Sequence, residues 1–402
     1  MIRYLTAGES HGEALIGIVE GMPAKVPLTA KDINTHLARR WLGYGRGGRS
    51  KIENDKVHIY SGVRFAETLG SPVSFRIDNG AYKKDKAGWP EKMSVEGDGT
   101  DVERVTMPRP GHADLAGMQK YEFDDIRPVI DRSSARETAM RVACCSVARA
   151  LLNAFGIHVG SHVVRIGEVG YESPDHWLER RNELLAEGGA RAMYEAADES
   201  ETRMLDADMT QRCIEHIEEA KAAKDSLGGI YEVVVTGVPA GLGSYVHWDR
   251  RLDGKLVQAI CSIQAQKAAE VGDGFLNAHR PGSKVHDPIV PDDDQEYGRR
   301  TNRAGGIEGG TTNGQPIIVR GYMKPIPTLI KPLDSVDTAT KEPKPTRYER
   351  SDITSVPAAS TVAEATVAYT IANAFLEKFG GDSLPETRRH VEAARGVESA
   401  SS

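Results

Sequence analysis

Met1-Ile2-Arg3-Tyr4-Leu5-Thr6-Ala7-Gly8-Glu9-Ser10-His11-Gly12-Glu13-Ala14-Leu15-Ile16-Gly17-Ile18-Val19-Glu20 opens the chain. Two apolar runs of strand length, residues 1–7 and 14–20, flank a short polar cluster. Strand follows strand with no helix between, which breaks the alternation that a parallel sheet requires. The cluster, Gly8 to Gly12, places His11 on a turn at the end of a sheet. Histidine is the side chain whose ordinary proton affinity lies nearest neutrality, so this position suits a proton donor as well as it suits a hydrogen-bonded turn.

Outward from this stretch, strands and helices continue to mix. Residues 30–41 read as a helix with Thr29 and Asp32 as its capping box and Ile33, Leu37 and Trp41 on one face. Residues 57–63 and 72–77 read as strands, and the polar stretch 79–107 as a long loop. Ser134 and Glu137 form a second capping box that opens a helix to about residue 155, with Met140, Cys144, Val147 and Leu151 on one stripe. Strands at 159–166 and 230–238 flank a charged, largely helical segment, 172–224, which reads as an inserted peripheral unit. A helix at 252–269, a strand at 316–323 and an apolar helix at 361–379, stopped by Gly380-Gly381, complete the order. The expected fold is α+β, antiparallel sheets packed against buried helices, in a single catalytic domain of residues 1–383. Residues 384–402 form a tail expected to be disordered at its end.

The 402 residues suffice for a core without disulfides, and no apolar run has bilayer length. A carboxylate at Glu9 comes too early for a secretory leader, so the expected location is cytoplasmic. Cys144, Cys145, Cys213 and Cys261 make no Cys-x-x-Cys pair and no zinc spacing, and they are expected to be buried thiols with no metal. The net charge of −7 argues against general nucleic-acid binding. Yet Arg39, Arg40, Arg46, Arg49 and Lys51 follow one another with no carboxylate between them, a patch suited to a small anionic ligand. Gly43 to Gly48 contains a literal Gly-x-Gly-x-x-Gly, but a helix rather than a strand precedes it, so it is no Rossmann turn. The glycines there let the backbone curl around an anion while arginines close over it.

Four further segments carry candidate chemistry. Arg109-Pro110-Gly111-His112-Ala113-Asp114 follows the long loop and brings a second histidine to a segment that a lid could cover. Asp131-Arg132-Ser133-Ser134-Ala135-Arg136-Glu137-Thr138 crowds hydroxyls and guanidiniums into a helix start, where free N–H groups and the helix dipole favour phosphate. Arg350-Ser351-Asp352 precedes the last apolar helix, and taken alone Asp352 reads as a turn residue. Asn302-Arg303-Ala304-Gly305-Gly306 and Gly309-Gly310, followed by Lys324-Pro325-Ile326-Pro327-Thr328, permit close backbone approach to a flat or anionic ligand.

Together these segments, with Gly272-Asp273-Gly274-Phe275 and Thr312-Asn313-Gly314-Gln315, resemble the chorismate synthase family in order and rough spacing over residues 1–383. The resemblance implies a lyase that eliminates phosphate from 5-enolpyruvylshikimate 3-phosphate to give chorismate, with reduced FMN and no net redox change. It further implies a homotetramer, with helices sandwiched between antiparallel sheets. By matching, His11 looks like the acid toward phosphate, His112 like the proton holder near the flavin N1, and Asp352 like the base acting through N5. Flavin contacts fall on Arg132, Ser133, Ser134, Gln264, Ala265, Gly309, Lys324, Pro325, Ile326, Pro327, Thr328 and Arg350. Arg40 and Arg46 match positions assigned to a nicotinamide dinucleotide phosphate. Ser10 and Arg136 stand as substrate contacts, and Arg49 is assigned to a substrate phosphate or carboxylate from its charge and position. The flavin is reduced either by NADPH on the enzyme or by a separate flavin reductase. A flavin oxidoreductase that uses a dinucleotide is the alternative enzyme, and a nucleic-acid-binding protein the remote one. One departure stands out: Asp131 occupies a position where such sequences often carry glycine.

Overall fold

The computed structural model describes residues 1–45, 55–171, 174–292, 296–346 and 352–400. Strands β1 (Arg3–Ala7) and β2 (Ala14–Glu20) form an antiparallel hairpin, followed by helix α1 (Ala30–Arg39) and strands β3 (Val57–Ser61) and β4 (Val73–Asp78). They make an antiparallel sheet in the order β1-β2-β4-β3. Helices α2 (Asp114–Tyr121), α3 (Arg127–Ser133) and α4 (Glu137–Asn153) lead to strand β5 (His158–Ile166). Helices α5 (Pro174–Glu199) and α6 (Ala207–Ala222) separate β5 from β6 (Gly229–Thr236). Helix α7 (Leu252–Cys261), strands β7 (Gln266–Val271) and β8 (Ile317–Met323), and helices α8 (Val356–Phe379) and α9 (Leu384–Ala400) complete the frame. The second sheet runs β7-β8-β6-β5, antiparallel throughout, with the two-residue strand Val169–Gly170 at its edge.

The helices α1, α4, α7 and α8 lie between the two sheets, as the α+β reading expects. Alternation in β2 sends Leu15, Gly17 and Val19 inward and leaves Ile16, Ile18 and Glu20 outside. Helix α4 lies so close to β2 that a Cβ on Gly17 would come within 2.4 Å of the Met140 sulfur. Helix α8 contacts α4, β5 and β6 and is buried on nearly every side, which explains why its sequence is apolar all round. Each fully buried Leu, Ile or Phe in this layer contributes roughly 1.5–3 kcal/mol.

Charge is also buried here. Glu364 of α8 is fully buried and accepts from Arg39 (2.5 and 2.8 Å), Arg149 (2.9 Å), Arg203 (3.2 Å) and Ser161 (2.7 Å). Burial alone would push this carboxyl up, but Arg39 and Arg149 outweigh it and hold the group well below the usual range. Arg203, buried among cations, is lowered to about 9.

Several expectations are corrected. The helix expected over 252–269 is eight residues shorter: it ends at Cys261, and Gln266–Val271 is a strand paired with β8. The segment 172–224 is not peripheral. Helix α5, interrupted at Gly188 and Gly189, packs on β5, and its Leu184 and Met193 join Val234 and Ile318 in a small outer core. Arg181 of α5 donates to the fully buried Glu232 of β6 at 2.9 Å. The capping box at Ser134 does not form: α4 starts at Glu137 with no side-chain cap, and Arg132 and Ser133 end the preceding helix α3. The tail after residue 383 is helical and buries Val391; Ser401 and Ser402 lie outside the described residues. Three cysteines are buried, but Cys261 is exposed.

Candidate active site

His11 sits on the β1–β2 turn. Gly8 has φ +98°, and a Cβ there would lie 2.2 Å from the Ala14 carbonyl oxygen, so the tight return needs glycine. Asn79, buried after β4, donates to the carbonyls of Glu9 and Gly12 and fixes the turn. Asp131 holds the histidine: its Oδ1 lies 2.6 Å from His11 Nδ1 and accepts the His11 backbone N–H at 3.1 Å. The Asp131 side chain is fully buried, whereas that of His11 is 20% exposed. An ionised carboxylate only accepts, so this contact places a His11 proton on Nδ1 and leaves Nε2 for a ligand. Trp89 stacks on the His11 ring at 3.8 Å between centroids.

His112 has a second arrangement of the same kind. Its Nδ1 lies 2.5 Å from Oδ1 of the fully buried Asp114. The other Asp114 oxygen accepts from the Arg109 backbone N–H (2.9 Å) and guanidinium (2.8 Å). Burial would raise the Asp114 carboxyl, but His112 and Arg109 outweigh it and hold it well below the usual range. Arg109 also donates to Thr328 at 3.0 Å, and Lys324 donates to the Gly111 carbonyl.

Hydrogen bonds connect the two histidine segments into one wall. Glu137 accepts from Thr6 of β1 at 2.9 Å and from Gln264 at 3.1 Å. The Lys324 N–H donates to the Ala265 carbonyl at 3.0 Å, and Lys324 reaches Gly111 beside His112. Asp352 joins the same wall: Leu227 donates to the Ile353 carbonyl at 2.8 Å, and Ser226 to the Ile326 carbonyl at 2.7 Å. Asp352 itself accepts from Ser355 at 3.1 Å.

The other expected residues divide. Arg132 donates to the carbonyls of Gly8 (3.0 Å) and Thr6 (2.8 Å), so it braces the His11 turn. Ser133 donates to the Val129 carbonyl, and Ser134 to Ser10 at 3.1 Å. Arg40 and Arg136 are both buried on Asp55, at 3.5 and 2.5 Å, which makes them the floor beneath the turn. Gln264 Oε1 is buried with no hydrogen-bond partner among the described residues, and Ala265 holds φ +66°. Pro325, Ile326 and Pro327 carry the chain from Lys324 to Thr328. Gly309 stands apart, near Tyr245 and next to Gly310, whose carbonyl accepts from Leu252 at the start of α7, a helix roughly 15 Å long whose far end leads to Gln264. Arg46, Arg49 and Arg350 lie outside the described residues.

Sequence reasoning missed Trp89, Asp55 and the task of Asp131. Only Asp114, two residues from His112, carried a local signal. A cavity of about 620 Å³ lies beside Gly45 and Ile353, but Asp198, Glu199, Glu201 and Glu218 line it. Carboxylates repel a multiply anionic ligand, so the histidine wall is the better candidate.

The chorismate synthase family model matches residues 2–376. A chorismate synthase from Salinibacter ruber is 79% identical over 401 residues, 99% of each chain. One from Chlorobaculum tepidum is 54% identical over 398 residues, covering 99% of this chain and 98% of the relative. A crystal structure of chorismate synthase superimposes with a TM-score of 0.77 at 39% identity, over 98% of this chain and 97% of that one. With a match in sequence and in fold over nearly its whole length, this chain belongs to the chorismate synthase family.

Proposed function

We propose that the chain converts 5-enolpyruvylshikimate 3-phosphate to chorismate by anti 1,4-elimination of phosphate, using reduced FMN. The observation that carries the reading is the pair of histidines, each with Nδ1 engaged by a buried aspartate, on one hydrogen-bonded wall. Reduced flavin, when bound, supplies electron density that eases cleavage of the C–O bond and takes up the hydrogen. The residues fit such a group: Gln264 offers a buried acceptor without a partner, and Lys324 adds positive charge beside the left-handed turn at Ala265. Ser133, Ser134 and the segment from Lys324 to Thr328 complete its proposed holder, with Arg132 bracing it.

His11 donates a proton from Nε2 to the departing phosphate, which spares the leaving group a full additional charge. His112 holds a proton on Nε2 toward N1 of the flavin, and Asp352 is the base that would act through N5. Ser10 lies beside His11 as a substrate contact. Arg136, seated on Asp55, contributes its charge from the floor, and Arg49 and Arg46 are proposed to close over the anions. Arg40 faces Asp55, Thr138 and the Ala135 carbonyl, so its part in binding a dinucleotide rests on the family match alone.

Assembly as a homotetramer accords with the outer face of the first sheet, where Leu5 and its partner Ile18 are exposed together with Ile16. Among the described residues no helix is long and apolar enough to cross a membrane.

The test is anaerobic turnover with chemically reduced FMN, following phosphate and chorismate together. Equal release of both, absent with oxidised FMN and without net flavin oxidation, is the expected result. Substrate-dependent flavin oxidation would instead mark an oxidoreductase. Adding NADPH to oxidised FMN separates an enzyme that reduces its own flavin from one that depends on a separate reductase.

A further inference from the structure

We infer that Asp131 is a positioning residue for the elimination: it fixes a proton of His11 on Nδ1 and keeps Nε2 directed at the leaving phosphate. The inference rests on His11 acting as the acid. It starts from the geometry of the turn, where a fully buried carboxylate lies against the imidazole.

Asp131 ends up beneath the turn because α3 runs directly under it. The Ser10 N–H donates to the Asp131 carbonyl at 3.0 Å, so backbone already docks to backbone here. The side chain adds something different. One oxygen, Oδ1, takes both the His11 backbone N–H and the ring Nδ1. The other, Oδ2, is buried without a hydrogen bond among the described residues, and its ion-pair partner is Arg127 at 3.7 Å. A fully buried carboxylate with so few donors directs its field at the nearest polarisable group, and that is the imidazole. Trp89 on the ring face blocks rotation of the imidazole out of this contact. Imidazole tautomer and ring angle are thus set by one side chain, the part an orienting carboxylate plays beside a catalytic histidine. Glycine at 131 could keep the backbone contact to Ser10 but none of these.

The experiment uses the full chain labelled with 15N-histidine, with long-range 1H–15N spectra to read the tautomer of His11, identified by loss of its signal in His11→Gln. The same preparations of Asp131→Asn, Asp131→Glu and His11→Ala enter anaerobic steady-state assays with reduced FMN. We expect Nδ1 to carry the proton in the parent chain and to lose that preference in Asp131→Asn. We expect kcat of Asp131→Asn to fall by about 10²-fold or more, within the ~10²–10⁴ that a positioned acid contributes, with KM within about twofold. Asp131→Glu should recover most of kcat, and Asp131→Asn should cost nothing further in a His11→Ala background. A parent chain protonated on Nε2 alone, or an equal loss in both backgrounds, would overturn the inference and leave Asp131 a turn-bracing residue. Undiminished kcat in His11→Ala would remove the acid reading itself, while the spectra would still decide the contact.

Discussion

The two histidine–aspartate pairs use the same chemistry and are built in opposite ways. His112 and Asp114 are two residues apart, and Arg109 in the same six-residue segment neutralises the carboxylate. His11 and Asp131 are 120 residues apart in sequence, and their carboxylate has Arg127 only at 3.7 Å. The first pair is a local motif that travels as a unit. The second exists only when sheet, helix α3 and turn are assembled, so its geometry reports the integrity of the whole fold.

The largest expected effect separates the histidines from their supports. His11→Ala should lower kcat by about 10²–10⁴, the usual range for a lost general acid, with Tm nearly unchanged. Thermal melts beside anaerobic kinetics check this, and a large fall in Tm would mean that the residue is structural. Next comes stability. Asp114→Ala leaves Arg109 and His112 without their shared acceptor and should cost about 3 kcal/mol in urea unfolding. Arg109→Ala should cost less, because His112 still serves Asp114. If Asp114→Ala proves neutral, the local pair is not the self-contained unit described here.

Acid sharpens the contrast. The Asp114 carboxyl lies below its unfolded value, so its ionised form stabilises the fold. That contribution is complete above about pH 5 and is lost as the pH falls below about 4. Asp114→Asn should therefore flatten the acid limb of a Tm-versus-pH curve. A limb of unchanged slope would assign it to other buried carboxylates such as Glu364 and Glu232. The smallest effect is expected at Trp89: replacement by Ala should reduce kcat severalfold by freeing the His11 ring while leaving the His112 pair untouched, as the two imidazole signals would show.

The same local-versus-assembled difference decides what was legible in the sequence. The hairpin at the N-terminus, the Thr29–Asp32 cap and the apolar helix α8 declare themselves through near neighbours and period. Residues 266–269 read as helix because Lys267, Ala268 and Ala269 favour it, and pairing with β8 overrides that preference. The Ser134–Glu137 cap looked sound locally, but Thr6, Arg141 and Gln264 draw Glu137 away. Both histidine turns were readable as candidates. The identity of the partner was readable only for His112, since no period or spacing links residue 131 to residue 11.

Arg39 and Arg40 stand side by side at the end of α1, and they face different clients. Arg39 enters the cluster around Glu364 between the sheets, while Arg40 reaches Asp55 under the catalytic turn. The floor of the site is therefore tied to a fully buried charge between the sheets. In hydrogen-exchange terms, the amides of α1 should open only with global unfolding, and the site should have no low-energy route to local melting. A catalytic wall joined in this way keeps its spacing until the whole domain lets go.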